Sequence, residues 1–378
     1  MALPIIRLLG RKQIPVTAVF GKGKDLSPFN KIIAQSNYIS EKIFFDEANY
    51  SESLIKSLVE YGNKQNSKPV LFLASDTDLE VVSSHRDKLH QYYHFTLPPD
   101  YRIKEILNKD KFISLARDYN LPVPKSLRIT LDLSPEKILG LLNFPFIVKP
   151  SWRDNRWLKK FREKKVFIIK NSDELKLTLN KLKEFPVEYL AQEIISGPES
   201  NIFCSFSILN KNSDPIESGF CRKLTQYPPD FGNTSIAAPV NNEELKKLSD
   251  EIFRKLKLTG YASIEFKFDE KDRQFKVIEV TPNRFNRQFA VTSMLGLNLP
   301  YILYQYELER EILPQQLKSS DRLWLSEVNE VRRILKYEKT KTKALIKFLL
   351  HLPKVGFFEI FDVFDLKPFF NLLVKRKS

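Results

Sequence analysis

The most informative segment of this chain is Tyr261-Ala-Ser-Ile-Glu-Phe-Lys-Phe-Asp-Glu-Lys-Asp-Arg-Gln-Phe-Lys-Val-Ile-Glu-Val-Thr281. It consists of two runs of alternating apolar and polar residues around a polar turn, which is the pattern of a β-hairpin. A turn centred on Asp272 places Glu265 directly opposite Glu279. The segment therefore predicts two carboxylates that meet across adjacent strands.

Two opposed glutamates need a compensating cation, because like charges that face each other destabilise an antiparallel pair. Apolar neighbours flank both glutamates, so that water is less able to screen the repulsion between the two carboxylates. A hard divalent ion such as Mg²⁺, which takes oxygen ligands and is usually shared with substrate phosphates, would remove the repulsion. The alternative is a solvent-facing pair that Lys267 or Lys276 neutralises.

Two lysines outside the hairpin stand where they could bind phosphate. Lys149 ends an apolar strand predicted over residues 146–149, and Lys111 lies near the start of a helix predicted over residues 109–119. The N-terminus of a helix attracts anions, so a lysine there is a reasonable phosphate ligand. Each lysine has a plainer interpretation, because lysines often mark the point where a strand or helix emerges into water.

The segment Ala191-Gln-Glu-Ile-Ile-Ser-Gly197 joins the two halves of this region. An extended connector can offer backbone N–H and C=O groups to the edge of a purine, although the same residues also fit an ordinary core strand that ends at Gly197. Glu199 follows the turn and could accept ribose hydroxyls or simply face solvent. Local sequence does not choose between these alternatives.

Taken in order, these features resemble the ATP-grasp superfamily over about residues 100–310. The segment Cys221-Arg-Lys-Leu-Thr-Gln-Tyr-Pro-Pro-Asp-Phe-Gly232 is similar to the carboxylate-amine ligase-like branch of that superfamily, which includes D-aspartate ligase. Segments on either side of this region also resemble the same branch, namely residues 68–76, Trp324 and residues 353–365. The resemblance therefore extends over nearly the whole chain.

The resemblance implies an ATP-dependent ligase that uses Mg²⁺, takes a small-molecule carboxylate and an amine, and forms an amide or peptide bond through an acyl phosphate. It also implies roles for matching residues. The cofactor-binding residues would be Lys111 and Lys149 at the phosphates, Gln192 in the connector, Glu193, Ile194 and Ile195 through their backbone at adenine, and Glu199 at ribose. Glu265, Glu279 and Thr281 would hold magnesium, and the catalytic residues would be Arg222, Lys223 and Arg284.

Three departures from the family pattern support an alternative, a catalytically silent nucleotide-binding protein. Thr281 stands where the family usually has asparagine, and Arg284 is shifted by one position because Asn283 stands where arginine is usual. The lid after Lys149 lacks glycines, so that the side chains of Arg153 and Arg156 would have to cover the phosphates.

The predicted fold class is α/β, with α+β character in the ATP-grasp part. We expect a small N-terminal parallel α/β domain over residues 1–100, a small ATP-grasp subdomain over 101–188, a large one over 189–310, and a basic, aromatic, helical extension over 311–378. The predicted N-terminal strands cover residues 16–20, 42–45 and 69–74. A helix predicted over residues 2–12 opens the chain, which leaves open whether the first strand of this domain is absent.

Composition narrows the class of protein. Of 378 residues, 61 are Lys or Arg and 46 are Asp or Glu, a formal charge of +15 that would favour nucleotides, nucleic acid or anionic lipid without choosing among them. A content of 42% hydrophobic and 28% charged residues excludes a disordered or fibrous chain. Two cysteines cannot build a disulfide framework, and the four histidines lack metal-ligand spacing. With no apolar run long enough for a membrane span, we expect a cytoplasmic protein.

Nucleic acid is not the expected partner, because the chain shows no recognised nucleic-acid-binding motif. The observation in favour of such a partner is a group of aromatic residues near the C-terminal lysines, namely Phe357, Phe358, Phe369 and Phe370. The sequence does not determine the oligomeric state, and a homodimer is compatible with it.

Overall fold

The computed structural model describes residues 2–130, 135–151, 160–161, 166–185 and 187–374, without the side chains of Lys347 and Val374. Its N-terminal part contains a two-stranded parallel sheet, as the residue pattern predicted. The strands are β1 (Val16–Lys22) and β2 (Ile39–Asp46). The helices are α1 (Leu3–Gly10), α2 (Pro28–Ile33), α3 (Tyr50–Gly62), α4 (Asp76–Ser84), α5 (Arg86–Leu89) and α6 (Asp100–Leu107).

The third strand predicted over residues 69–74 is wrong. This segment makes only two isolated bridges, from Val70 to His94 and from Leu73 to Arg284. Its apolar side chains serve two different cores, since Leu73 packs in the N-terminal core and Phe72 packs against the core of the large sheet. The segment is continuously apolar because it lies between two hydrophobic cores, not because it belongs to a parallel sheet.

A four-stranded antiparallel sheet, the small sheet, follows in the order β3-β6-β4-β5. The elements of this region are α7 (Lys109–Asp118), β3 (Ser126–Ile129), α8 (Pro135–Leu139), β4 (Phe146–Pro150), β5 (Phe167–Ile169), α9 (Ser172–Lys183) and β6 (Tyr189–Glu193). The cap of α9 is Asn171, whose side chain accepts from the Glu174 amide at 2.9 Å. Ser172 is the first residue of the helix.

A seven-stranded sheet, the large sheet, has the order β11-β10-β7-β8-β9-β12-β13. Its elements are β7 (Ile202–Leu209), β8 (Pro215–Tyr227), β9 (Asn233–Val240), α10 (Glu243–Lys255), β10 (Gly260–Asp269), β11 (Gln274–Pro282), α11 (Leu299–Glu307) and β12 (Leu323–Leu325). Helix α10 covers one face, and it shares that core with Leu115 and Ala116 of α7. Helices α1 and α11 cover the other face.

The C-terminal region completes the large sheet and contains α12 (Glu327–Tyr337), α13 (Lys341–His351), β13 (Val355–Phe358) and α14 (Lys367–Val374). It is tied to the N-terminal part by Arg7, whose Nε donates to buried Asp365 at 2.9 Å. Ser36 and the Asn37 amide donate to the same carboxylate. Along the described residues, no helix combines the length and apolar character that crossing a membrane requires.

Candidate active site

The hairpin of β10 and β11 brings the two glutamates together. Glu265 lies directly opposite Glu279, and the Ile264–Val280 and Ser263–Thr281 pairs continue the same register. Toward the turn the register shifts by one, so that Phe266 pairs with Val277 and a bulge at Ile278 separates the two registers. The predicted pairing at the glutamates is confirmed, although the strands are not symmetric about Asp272 as the sequence suggested.

Directly opposed residues project from the same face of an antiparallel sheet. The cation that compensates Glu265 is Lys223 of β8, whose Nζ lies 2.7 Å from Glu265 Oε2. Lys223 is only 3% exposed. Of the two lysines that the sequence suggested as counterions, Lys276 pairs with Asp272 instead, and neither contacts Glu265 among the described residues.

Burial acts to lower the pKa of Lys223, but the nearby Glu265 carboxylate outweighs it, so the pKa lies above its usual value. The ammonium is therefore charged at neutral pH. The thiols of Cys204 and Cys221 face each other across β7 and β8 beside this ion pair. Burial raises the pKa of Cys221 well above its ordinary value, so this thiol is neutral.

Glu279 is the solvent-exposed member of the carboxylate pair, and its side chain is 63% exposed. One guanidinium nitrogen of Arg284 lies 3.9 Å from Glu279 Oε1, and Arg284 Nε donates to Asp76 Oδ1 at 2.5 Å. Asp76 begins α4 of the N-terminal part. Arg284 therefore connects the glutamate pair to the N-terminal domain, and its shifted position in the sequence does not remove it from the site.

Lys149 faces the site from the small sheet. Its Nζ donates to Gln192 Oε1 at 2.7 Å, and Gln192 Nε2 donates to Ser126 Oγ at 2.9 Å. Burial, with the charge of Lys109, lowers the pKa of Lys149 to about 7, while the charge of Glu279 opposes the shift. Lys149 therefore lies near enough to Glu279 for the glutamate's charge to act on it.

Lys109, which the sequence analysis did not single out, lies close to Lys149. Its Nζ lies 3.4 Å from the carbonyl oxygen of Pro150, the residue after Lys149. Lys111 has an exposed side chain, and its backbone N–H donates to the capping side chain of Asn108 at 3.0 Å. Asn108 was the available signal, because this cap puts both lysines in the first turn of α7. Sequence alone cannot decide which of the two turns toward Lys149.

The connector between the two sheets is only partly free to bind a base. The Glu193 amide donates to the Lys125 carbonyl at 3.0 Å, and the Glu193 carboxylate accepts from the Lys125 amide at 2.7 Å. The N–H of Glu193 is therefore already used by the small sheet, and the expectation that its backbone binds adenine stays a prediction for the carbonyl group. Ile194 and Ile195 follow the end of β6, and their backbone groups remain the candidates.

Arg222 does not join Lys223 at the glutamate pair, because successive strand residues point to opposite faces of a sheet. Its Nε donates to the carbonyl of Ser200, and its guanidinium lies 5.6 Å from the ring centre of Phe203. The expectation that the two residues act together is therefore corrected, and a role of Lys223 at phosphate stays a prediction.

Glu199 lies at the start of a short 3₁₀ helix, Glu199–Asn201. Burial raises its pKa, with opposing effects from Arg333 and from a hydrogen bond to the Asp230 backbone. In the described part of the chain, no contact joins Glu199 to Lys149 or Gln192. Its role at ribose stays a prediction.

Thr281 and Asn283 end the hairpin in different ways. Thr281 is 5% exposed and lies opposite Ser263, next to the glutamate pair on the same face. Asn283 has a φ of 44° and donates from Nδ2 to the Thr96 carbonyl at 2.7 Å, so it fastens the hairpin to the N-terminal domain. Gly260 beside it has a φ of 69°, and a Cβ there would lie 2.5 Å from the same carbonyl oxygen.

The lid arginines Arg153 and Arg156 lie outside the described residues. In the ranges that are described, no group of three or more His, Cys, Asp or Glu side chains is placed to hold a metal. A cation at Glu265 and Glu279 would therefore depend on oxygen atoms from a bound ligand or from water.

No protein-family model matches the chain. Over 260 residues it is 26% identical to D-aspartate ligase of Enterococcus faecium (strain Aus0004), a match that covers 66% of this chain and 61% of that enzyme. The match thus spans less than two thirds of the enzyme's length. The chain is a homologue of this D-aspartate ligase.

Solved structures with the same architecture include L-amino acid ligase from Bacillus licheniformis, with a TM-score of 0.59 at 18% identity over 81% of this chain and 71% of that one. D-alanine–D-alanine ligase from Bacillus anthracis, solved in complex with ATP, has a TM-score of 0.54 at 17% identity and covers 78% of this chain and 97% of its own. N5-carboxyaminoimidazole synthetase from Staphylococcus aureus gives 0.59 at 14% identity over 82% and 75%. These are ATP-grasp proteins, so the predicted fold class is confirmed.

Proposed function

Starting from a chain that has the ATP-grasp fold and is a homologue of a D-aspartate ligase, we propose that it is an ATP- and Mg²⁺-dependent carboxylate-amine ligase. It would form an amide or peptide bond through an acyl phosphate. The observation that carries this proposal is the Glu265–Glu279 pair on one sheet face, with Lys149 near enough for the charge of Glu279 to act on its ammonium.

The carboxylate pair fits a small hard cation. Mg²⁺ is usually bound by one or two protein carboxylates together with substrate phosphates and water. Glu279 is open to solvent, and Glu265 retains a second carboxylate oxygen beside the one that Lys223 contacts. Thr281 lies next to them on the same face and could add a hydroxyl. When bound there, Mg²⁺ would screen the charge of the ATP phosphates.

The chain's own cations suit the rest of the reaction. Lys149, whose ammonium is held by a neutral amide and not by a carboxylate, is available to a phosphate oxygen. Lys109 and Lys111, both in the first turn of α7, are the further phosphate candidates. Fixed positive charges at these positions stabilise the charge that develops when the γ-phosphoryl group is transferred.

The acceptor half of the reaction would take place near Lys223 and Arg284. A substrate carboxylate that attacks the γ-phosphate becomes an acyl phosphate and releases ADP, and an amine then displaces phosphate to give the amide. Lys223 would neutralise the acyl phosphate, and Arg284 would do the same while its bond to Asp76 holds it against the N-terminal domain. Asp76 and Asp78 of α4 mark the side from which we expect an amine to approach.

A second candidate function is a catalytically silent nucleotide-binding protein. The observation that favours it is the 2.7 Å contact between Lys223 and Glu265, which already neutralises one of the two proposed metal ligands. Such a protein would bind ATP through Lys149 and the connector without turning it over. The two candidates therefore agree on nucleotide binding and differ in ADP formation.

The test is ADP formation by purified protein with ATP, Mg²⁺ and a panel of amines, with D-aspartate as the first carboxylate because the homologue is named for it. Glu279→Gln is expected to abolish the activity, since it removes the open carboxylate, while the thermal unfolding temperature stays unchanged. Asp272→Asn, in the turn of the same hairpin, is the matched control and should retain full activity.

An undiminished rate in Glu279→Gln would contradict the ligase proposal. Nucleotide binding without ADP formation across the whole panel would favour the silent protein instead. Loss of activity in both variants, with normal folding, would show that the assay responds to the hairpin in general and not to the carboxylate pair.

A further inference from the structure

Lys267 of β10 is a cation to which the candidate site described above gives no role. Its neighbours Phe266 and Phe268 pack in the core beneath α10, so alternation along the strand turns Lys267 to the opposite face of the large sheet. Glu265 lies on that face, two residues or about 7 Å away along the strand. Lys267 therefore shares the sheet face of the glutamate pair.

The ammonium of Lys267 has no ion-pair partner among the described residues. Lys267 is half-buried and lies directly opposite Lys276 of β11, and like charges that face each other destabilise an antiparallel pair. Lys276 is compensated by Asp272, whose carboxylate lies 2.5 Å from its Nζ. The charge of Asp230, in the turn between β8 and β9, reaches Lys267, but the two form no ion pair. Lys267 is thus suited to an anion that the described residues do not supply.

The position of Lys267 along the sheet puts it between two parts of the candidate site. It pairs with Ile202, the first residue of β7. Glu199 opens the short helix that ends directly before Ile202. Moving along the sheet from Glu265, one therefore meets Lys267 first and Glu199 next. The charge of Asp230 acts on both Lys267 and Glu199, so both lie near the same turn.

The other side of the glutamate pair leads to the N-terminal domain. Ser263 and Thr281 pair next to the glutamates on that side, and beyond them Arg284 contacts Asp76 of α4. This is the side from which we expect the amine to approach. A cation for a substrate carboxylate is therefore available in Arg284, whereas Lys267 lies on the side of Glu199.

We propose that Lys267 binds the α-phosphate of the nucleotide. This inference rests on the proposed function, which puts Mg²⁺ and the terminal phosphates at Glu265 and Glu279, and on the expected role of Glu199 at ribose. In ATP the α-phosphate joins the ribose to the β-phosphate, so it has to lie between these two places. Lys267 lies there, and its ammonium can donate charge-assisted hydrogen bonds to phosphate oxygens.

The experiment measures the affinity of the full chain for adenosine, AMP, ADP and a nonhydrolysable ATP analogue by competition against a fluorescent ADP analogue. Lys267→Met should weaken the binding of AMP, ADP and the ATP analogue by the same factor, about 10- to 100-fold, which is the value of a charge-assisted hydrogen bond. Adenosine should bind as before, because it lacks the α-phosphate. Lys267→Arg, which keeps the charge, should recover most of the affinity.

Steady-state kinetics provide a second readout. The α-phosphate keeps its charge while the γ-phosphoryl group is transferred, so Lys267 would bind the ground state and the transition state equally. Lys267→Met should therefore raise KM for ATP about 10- to 100-fold and leave kcat nearly unchanged. A general distortion of the hairpin would lower kcat as well, because Glu265 and Glu279 belong to the same two strands.

The matched control is Lys271→Met, which removes an exposed lysine from the turn of the same hairpin. It should bind every ligand like the unaltered chain, and thermal unfolding checks that all variants are folded. In a chain that binds ATP, the inference alone is overturned if Lys267→Met binds AMP and ADP normally, weakens the ATP analogue only, weakens adenosine equally, or merely matches the control. An unaltered chain that binds none of the nucleotides would overturn the proposed function together with it.

Discussion

Lys149 on the small sheet and Lys223 on the large sheet both lose hydration when the chain folds, yet their pKa values move in opposite directions. Burial and the charge of Lys109 lower the pKa of Lys149 to about 7, and its hydrogen-bond partner, the amide of Gln192, carries no charge to oppose them. The pKa of Lys223 rises despite burial, because its partner is the Glu265 carboxylate. The contact made in the folded state, and not the residue type or its position on a strand, decides the difference.

This difference suggests a division of labour. A lysine without a carboxylate partner gains most from a bound phosphate, whereas a lysine already paired with a carboxylate mainly holds that carboxylate in place. Lys149 is therefore expected to contribute to ligand binding, and Lys223 to the stability of the site before any ligand arrives. The predictions below test this contrast, beginning with the largest effect.

Lys223→Met should cost about 3 kcal/mol of unfolding free energy, because it leaves Glu265 as a partly buried charge without its partner. The value is at the low end of the usual range, since the Glu265 side chain is 23% exposed. Urea denaturation measures the loss. Adding Glu265→Gln to the same protein should recover most of the lost unfolding free energy. A loss below about 1 kcal/mol in the single variant would contradict the claim that Lys223 stabilises the site through Glu265.

Lys149→Met should leave stability nearly unchanged and weaken the binding of a nonhydrolysable ATP analogue. The loss of a charge-assisted hydrogen bond to phosphate is worth about 1.5–3 kcal/mol, or roughly 10- to 100-fold in affinity. Isothermal titration calorimetry measures the affinity. The exposed Lys170, just after β5, provides the control, and Lys170→Met should bind like the unaltered chain. Equal affinity in both variants would remove Lys149 from the site.

Nucleotide binding should take up a proton at Lys149. In the free protein its pKa of about 7 leaves the amine mostly neutral at about pH 8, and a phosphate raises the pKa and recharges it. The affinity should therefore fall as pH rises above about 7, by up to tenfold per pH unit. Calorimetry at about pH 8, in buffers of different ionisation enthalpy, counts the protons. Proton uptake that persists in Lys149→Met would contradict the assignment.

The smallest effect distinguishes the two lysines of α7. Lys109 contributes to the lowered pKa of Lys149, so Lys109→Met should raise that pKa and reduce the proton uptake measured near neutral pH. Lys111→Met should leave the uptake unchanged, because its side chain is exposed. Should Lys111→Met alone change the uptake, Lys111 and not Lys109 would be the lysine that acts on Lys149.

The pairing of Glu265 with Glu279 could be predicted because it depends on a two-residue period and a short turn, both of which are local properties of the chain. The compensating bulge at Ile278 could not, because it changes the register on one side of the glutamates only. Likewise, α7 matches the helix predicted over residues 109–119, whereas the role of residues 69–74 depended on two separate cores.

Site residues were harder to place where orientation mattered. Arg222 and Lys223 are neighbours in sequence and were expected to act together, yet alternation along β8 puts them on opposite faces. The amide of Glu193 was expected to be free, and its partner Lys125 belongs to the segment before β3, far away in sequence. Such contacts arise from tertiary structure, and no local pattern encodes them.

The central claim is that Glu265 and Glu279 hold a metal ion at the phosphates of ATP while Lys149 contacts those phosphates from the other sheet. A crystal structure with a nonhydrolysable ATP analogue and Mn²⁺ in place of magnesium tests it most directly, because Mn²⁺ is located by its anomalous signal. We predict a peak within about 2.2 Å of a carboxylate oxygen of each glutamate, with Lys149 Nζ on a phosphate oxygen. A nucleotide bound with its phosphates away from this face, or a metal that neither glutamate touches, would contradict the account.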